Sequence, residues 1–271
     1  MVKYNFSLHI LVILLIFNIL DLVAQPKFQL VDILNISSST NQFSKPIFSQ
    51  DSKKILVTGV NKRGLYLLDF ENNVLALTEE DRAGVDFKWT KNGNIEYIVK
   101  NERYELVKKK IVLHKELKDN GLDTFVYIDS KTLKIHFTNT INDFEIPTEL
   151  GMFYNAHISP NKKMVAVNSC SDIFIIDIYN SAKPINLGFG IVSGWSPDNK
   201  YILSFEDIST DGRNIINSDL YLIDVQTKMK YRLTDTNHVM EMWASFSPDG
   251  KKIVFCDDQS GQIFISTINL K

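Results

Sequence analysis

One phrase returns five times along this chain, and it limits the fold more than any other feature. It consists of an aromatic or apolar residue, a small hydroxylated one, a polar turn, and then an apolar strand. The first copy is Phe48-Ser49-Gln50-Asp51-Ser52-Lys53-Lys54-Ile55, and the second is Trp89-Thr90-Lys91-Asn92-Gly93-Asn94-Ile95. Ile158-Ser159-Pro160-Asn161-Lys162-Lys163-Met164 and Trp195-Ser196-Pro197-Asp198-Asn199-Lys200-Tyr201 follow. The last and cleanest copy is Phe246-Ser247-Pro248-Asp249-Gly250-Lys251-Lys252-Ile253. Pro presets φ for a turn, Asp or Asn caps it through its own side chain, and Gly or Asn tolerates a left-handed backbone. The alternation beyond the turn, as in Ile55-Val57 or Ile253-Phe255, has the period of a half-buried strand.

A second phrase lies between copies of the first: Tyr66-Leu67-Leu68-Asp69, Val126-Tyr127-Ile128-Asp129, Phe174-Ile175-Ile176-Asp177 and Tyr221-Leu222-Ile223-Asp224. Phe264-Ile265-Ser266-Thr267 is a fifth copy with Thr in the Asp position. A short strand follows most copies, such as Leu75-Ala76-Leu77-Thr78 or Tyr231-Arg232-Leu233-Thr234. Each repeat therefore reads as an antiparallel meander of four strands, A to D. The anchor hydroxyls at 49, 90, 159, 196 and 247 stand 41, 69, 37 and 51 residues apart. A four-stranded propeller blade takes roughly 40–50 residues. The predicted fold is all-β, a β-propeller of about five four-stranded blades. The excess in the 69-residue interval is placed between strands B and C, around Asn101 to Leu122, and a milder one around Asp207 to Ser218. The chain ends after the third strand of its last repeat. Phe28 to Leu34, which has no repeat of its own, is predicted to supply the missing outer strand and so close the ring.

The phrase ending in Val254-Phe255, with Asp219-Leu220-Tyr221-Leu222-Ile223-Asp224 and Tyr231-Arg232-Leu233-Thr234 before it, resembles the repeat of the TolB-like β-propeller family (the C-terminal propeller type). The resemblance covers most of the chain after residue 24. It is strongest in the last two repeats and weakest in the second, where Lys91-Asn92-Gly93 replaces Pro-Asp-Gly. It implies a propeller and says little of activity, because the signature shapes a hairpin and carries no reactive group. TolB itself has an α/β domain before a six-bladed propeller. No αβ pattern precedes the repeats here, so the resemblance is to the repeat type and not to TolB.

Residues 1–24 read differently. Lys3 gives a positive start, Leu8 to Leu20 is a nearly unbroken apolar run, and Leu22-Val23-Ala24 ends it on a small residue. That order is expected of a signal peptide, with residues 25–271 as a single propeller domain that is exported, periplasmic or extracellular. The apolar run is short for a spanning helix, which needs about 20 residues. A retained anchor is the alternative. The formal charge of −2 argues against a nucleic-acid binder. Cys170 and Cys256 fall at similar places in repeats that are not neighbours, so both are expected as buried free thiols.

A search for chemistry finds little. Gly194-Trp195-Ser196-Pro197-Asp198 lacks the second Gly of a nucleophile elbow, and there is no phosphate-cradling Gly-rich loop. His114, His136, His157 and His238 show no helical ligand spacing. Asp207-Ile208-Ser209-Thr210-Asp211-Gly212-Arg213-Asn214 has part of a calcium loop, but Ser218 stands where the bidentate Glu belongs. It reads as a polar loop. No catalytic residue, metal or cofactor is assigned.

In a propeller the B–C loops and the D-to-A links share one face around the central channel. That places Arg82, Asp86, Tyr154, His157, His238, Glu241 and Trp243 on one loop-rich binding face. Aromatics with mixed charge suit a protein or peptide partner. Trp89, Trp195 and Trp243 also stand at or beside repeat anchors, where packing between blades is the simpler role. The charged stretch with Lys108-Lys109-Lys110 is either an arm that grips a partner or a solvated extension of a hairpin. The leading expectation is a monomeric, non-enzymatic interaction module of the cell envelope. A propeller lyase or hydrolase with a site at the channel mouth is the alternative.

Overall fold

The computed structural model describes residues 28–38, 40–100, 102–107, 110–114, 126–128, 135–137, 152–179, 183–237 and 239–270. The expected signal segment, residues 1–24, lies outside the described residues. So does His238.

The chain enters with β1 (Phe28–Asn35) and then builds sheets in sequence order. The first holds β2 (Ser44–Phe48), β3 (Lys54–Thr58), β4 (Leu65–Asp69) and β5 (Val74–Thr78). The second holds β6 (Asp86–Trp89), β7 (Ile95–Val99), β8 (Glu102–Val107) and β9 (Lys110–His114). A two-stranded sheet of β10 (Val126–Ile128) and β11 (Ile135–Phe137) comes next. The third four-stranded sheet is β12 (Phe153–Ile158), β13 (Met164–Ser169), β14 (Asp172–Asp177) and β15 (Ile185–Phe189). The fourth is β16 (Ile191–Trp195), β17 (Tyr201–Ser209), β18 (Ile215–Asp224) and β19 (Lys230–Arg232). β20 (Glu241–Phe246), β21 (Lys252–Asp257) and β22 (Ile263–Leu270) make the last sheet, and β1 completes it by pairing antiparallel with β22, Phe28 opposite Leu270. Five four-stranded antiparallel meanders, closed by the first strand, form a five-bladed β-propeller.

The anchor phrase forms because its side chains satisfy the turn. Ser247 Oγ donates to Asp249 Oδ1 at 2.6 Å and accepts from the Lys252 amide, while Asp249 Oδ1 also accepts from the Lys251 amide. Ser49 with Asp51, Ser159 with Asn161 and Ser196 with Asp198 repeat this arrangement. In the second blade Thr90 Oγ1 accepts from the Asn94 amide instead. Burial then follows from strand alternation. The apolar core lies between neighbouring blades, as where Leu56 and Leu65 of the first blade meet Ile95, Tyr97 and Val99 of the second. A larger cluster joins the fourth, fifth and first blades and takes in Leu30 of β1.

Ring closure stands as expected, but the second repeat does not. Its strands C and D are β8 and β9, inside the stretch read as an insertion, and β8 follows β7 directly. Val126-Tyr127-Ile128, read as strand C, instead pairs with β11 in the separate two-stranded sheet. The reason is chemical. Arg103 and Glu96, both fully buried, meet across β8 and β7 at 2.7 Å. A strand whose interior position holds a paired charge gives no apolar signal. The stretch Lys108-Lys109-Lys110 therefore falls in sequence between the end of β8 and the start of β9, and not between strands B and C. Lys108 and Lys109 lie outside the described residues. In the fourth blade, Asp207 to Ser218 continues β17 and β18 as an extended hairpin, with Asp207 opposite Ser218. Asp211 caps its tip by accepting from the Arg213 and Asn214 amides.

Both cysteines are unpaired. Cys256 is buried, whereas Cys170 is exposed because it sits at the tip of a turn, with φ of 52°.

Candidate functional site

The site is made by one irregularity repeated in several blades. The ladder between strands A and B is shifted by a bulge in β2 (between Ser44 and Ile47), in β12 (between Tyr154 and His157) and in β20 (between Met242 and Ser245). At each bulge one residue is left-handed: Lys45 at φ 50°, Asn155 at 58° and Trp243 at 53°. All three stand four positions before the anchor hydroxyl of their repeat, and Asp86 and Val192 hold the same place in the other two blades. A bulge re-aims a side chain, and a non-glycine residue with positive φ stores strain that its surroundings must offset. Here the re-aimed residues converge. They line a cavity of about 530 Å³ at the ring of innermost strands, to which β2, β6, β10, β12, β16 and β20 all contribute.

Polar bonds across blade boundaries hold the ring of first strands. Ser245 Oγ donates to the Pro46 carbonyl at 2.8 Å, and the Ala244 amide donates to Ser193 Oγ. Trp195 Nε1 donates to the His157 carbonyl at 2.9 Å, which gives that indole the interblade role expected of it. Asn168, fully buried on β13, is the densest junction. Its Nδ2 donates to the carbonyls of Gly190 and Asp172, and its Oδ1 accepts from the Val192 amide and from Asn155 Nδ2. Asn155 Nδ2 also donates to the Val192 carbonyl. The Asn155 amide orientation is therefore fixed, and its Oδ1 faces His157 Nε2 at 3.0 Å. That oxygen can only accept, so the proton of the neutral imidazole sits on Nε2.

Electrostatics at the mouth are unbalanced. The Lys45 ammonium stands 4.8 Å from the centre of the Trp243 ring and that of Lys62 5.8 Å from it, while Phe205 packs edge-on against the same indole. Lys45 donates to the Val85 carbonyl at 3.1 Å. Burial, and then the nearby charge of Lys62, lower the Lys45 pKa to about 8, against an opposing pull from Asp86. Burial raises the Asp86 carboxyl above its ordinary range despite Lys45, Lys62 and Arg82. His157 is lowered to about 3, first by burial and then by Lys45, so it is neutral at physiological pH. The residue is half-buried and lines the cavity.

Of the residues expected on the binding face, Asp86, Tyr154, His157 and Trp243 line the cavity. Arg82 lies on the link before β6 and acts on Asp86 through its charge. Glu241 does not reach the cavity lining. It is buried, accepts from Thr236 Oγ1 at 2.9 Å, and is pushed up to about 7 by burial. The sequence reading missed Lys45, Lys62 and Asn155. Lys45 and Asn155 could have been found by counting four residues back from each anchor; Lys62 has no such signal. Among the described residues, no group of three or more His, Cys, Asp or Glu side chains is placed to hold a metal ion.

Comparison with known proteins gives architecture. A gluconolactonase from Xanthomonas campestris superposes with a TM-score of 0.60 at 8% identity, over 88% of this chain and 89% of that one. A streptogramin B lyase superposes at 0.50 with 14% identity, over 90% and 98% of the two chains. A TolB-like structure from Agrobacterium tumefaciens aligns over 92% and 99% at 15% identity, with a TM-score of 0.37. The chain has a β-propeller fold. No family model and no curated protein matches its sequence. At such identities the likeness is one of fold alone.

Proposed function

We propose that this protein is an exported binding module of the cell envelope, with its working face at the channel mouth, where it receives a segment of another protein or peptide. The observation that carries this reading is the trio Lys45, Asn155 and Trp243. Three blades each hold a residue in a strained backbone conformation and turn it into the same cavity. Strain repeated at one structural position and gathered in one place favours a role in recognition. The TolB-like repeat phrase fits this reading, with the ligand approaching from the side of the B–C loops and the D-to-A links.

The test is affinity capture from envelope extracts with the wild type and two variants. Trp243→Ala alters the mouth, and Lys91→Glu alters the turn face at the opposite end of the blades. A partner retained by wild type and Lys91→Glu but lost by Trp243→Ala is the expected result. A partner held equally by all three places the working face elsewhere.

A second reading is favoured by one observation. Asp86, with a raised carboxyl pKa, and His157, neutral with its proton on Nε2, line the same cavity, as an acid–base pair in a propeller hydrolase or lyase would. Turnover of a carbohydrate or peptide substrate that disappears in both Asp86→Asn and His157→Gln would favour it over binding alone.

A further inference from the structure

We infer that the channel mouth is built to receive a single carboxylate, presented by the bound segment as an acidic side chain or as a free chain end. This rests on the binding reading above and names the chemistry of the same site.

Two ammonium groups from different parts of the fold converge on one indole. Lys45 comes from the bulge of β2, and Lys62 from the turn Val60–Lys62 that joins β3 to β4. Lys62 is itself left-handed, at φ 59°, and its carbonyl is tied to the Gly84 amide at 3.0 Å. The turn is therefore fixed against the link that leads to Asp86. Of the three N–H bonds on Lys45, one is used by the Val85 carbonyl. The cavity wall carries Lys45, Lys62 and Lys88 against Asp86. Lys88 is already committed to Glu96 at 3.5 Å. Among the described lining residues, what faces the cavity is two ammoniums and one carboxylate; Asp258, outside the lining, also feels the charge of Lys62.

Such an arrangement is unfavourable when empty. Lys45 and Lys62 repel each other, and burial disfavours the Lys45 charge, which the lowered pKa reflects. A monoanion between them relieves both penalties and gains charge-assisted hydrogen bonds. The charge of the ligand is limited from the other side, because Asp86 stands next to the pair and would repel a dianion such as phosphate. The body that carries the carboxylate meets an apolar wall from Ile47, Val126, Ile128, Ala156 and Phe246. An anionic group on an apolar carrier matches this surface, and an amino acid residue within or ending a peptide supplies both.

The experiment is calorimetric titration of the purified protein with paired synthetic peptides. One pair is N-acetyl-Ala-Ala-Phe with a free or an amidated terminus. The other is N-acetyl-Ala-Glu-Phe-amide and its Gln counterpart, and inorganic phosphate is titrated separately. The acid member of at least one pair is expected to bind about 10-fold or more tightly than its neutral twin, the effect of one charged hydrogen bond. The pair showing the difference identifies the source of the carboxylate. Lys62→Met, at an exposed position, is expected to erase the difference without changing the melting temperature, and Lys45→Met to do the same if its fold is intact by circular dichroism. Equal affinity of acid and amide, a difference that survives Lys62→Met, tighter binding of phosphate, or no binding of any peptide at millimolar concentration each overturns the inference. None of these outcomes touches the capture experiment. Loss of a captured partner by Trp243→Ala would leave the mouth as the working face even if the carboxylate were wrong.

Discussion

Replacing Asn168 with Leu tests whether the ring of inner strands is held by polar junctions as well as by apolar packing. Leu has the branching and the heavy-atom count of the Asn side chain but no donor or acceptor. The substitution leaves the Val192 amide without the Asn168 oxygen at 3.0 Å, and the Gly190 carbonyl without the donor at 2.7 Å. The Asp172 carbonyl and Asn155 Nδ2 each lose a longer bond of 3.2 Å. Both main-chain groups belong to the entry into β16, next to the fully buried Val192, where water has little access. A buried polar group left unpaired costs about 1–3 kcal/mol. Two such groups, offset by the apolar gain of Leu, give a net loss of about 3 kcal/mol. For a domain of this size that lowers the melting temperature by roughly 6–12 °C. Thermal unfolding followed by circular dichroism measures it directly. Because Asn155 loses one of its fixing bonds, ligand affinity at the mouth should fall as well. A drop of less than about 2 °C with affinity unchanged would refute the junction and leave the blades held by side-chain packing alone.

Three further outcomes are expected. Leu30→Ala, at a buried position of β1, should cost about 2–3 kcal/mol in chemical denaturation, while Leu34→Ala, 58% exposed on the same strand, should stay within about 0.5 kcal/mol; equal effects would mean that β1 does not seal the last blade. Gly84→Ala should destabilise and disturb the mouth, because a Cβ there would overlap the buried Thr58 side chain, whose hydroxyl is held by the Gly64 carbonyl; a variant with wild-type melting and affinity would show that the link before β6 yields freely. Glu241, raised from 4.5 to about 7 by burial, binds its proton more tightly folded than unfolded, so its contribution is fully present below about pH 4.5 and is lost as pH rises through about 7. The melting temperature of wild type relative to Glu241→Gln should therefore fall between pH 5 and pH 8, and parallel pH profiles would count against the burial of that carboxyl.

The sequence made the blades legible because their turns are closed by local chemistry. The Ser-x-Asp hydrogen bonds run between residues two apart, so Ser247-Pro248-Asp249 states its own geometry. Closure by Phe28 to Leu34 was legible for a different reason: a last repeat one strand short needs a partner, and only one strand was left over. The second blade was misread because apolar pattern was the guide. Glu102-Arg103-Tyr104-Glu105 looks like a solvated arm, yet Arg103 is fully buried against Glu96, and Tyr104 stacks on Tyr97 at 5.2 Å. The site was half legible. Topology grouped Asp86, Tyr154, His157 and Trp243, which line the cavity, but a bulge leaves no mark in composition. The left-handed turn of Lys45 and Asn155 into the channel arises from strand register, which only the paired sheet reveals.

The pairing of β1 with β22 has a consequence for how the molecule assembles. The last blade is complete only when residues at the two ends of the described chain have paired. Until then the outer edge of β22 is bare and β1 is a loose strand whose sequence matches it. The entropy of closing so long a loop grows only logarithmically with length, so the step is slow more than it is unfavourable. During that wait a second molecule offers the same strand at the same edge. At high concentration the expected by-product is a pair of chains that have exchanged first strands, each completing the other's last blade.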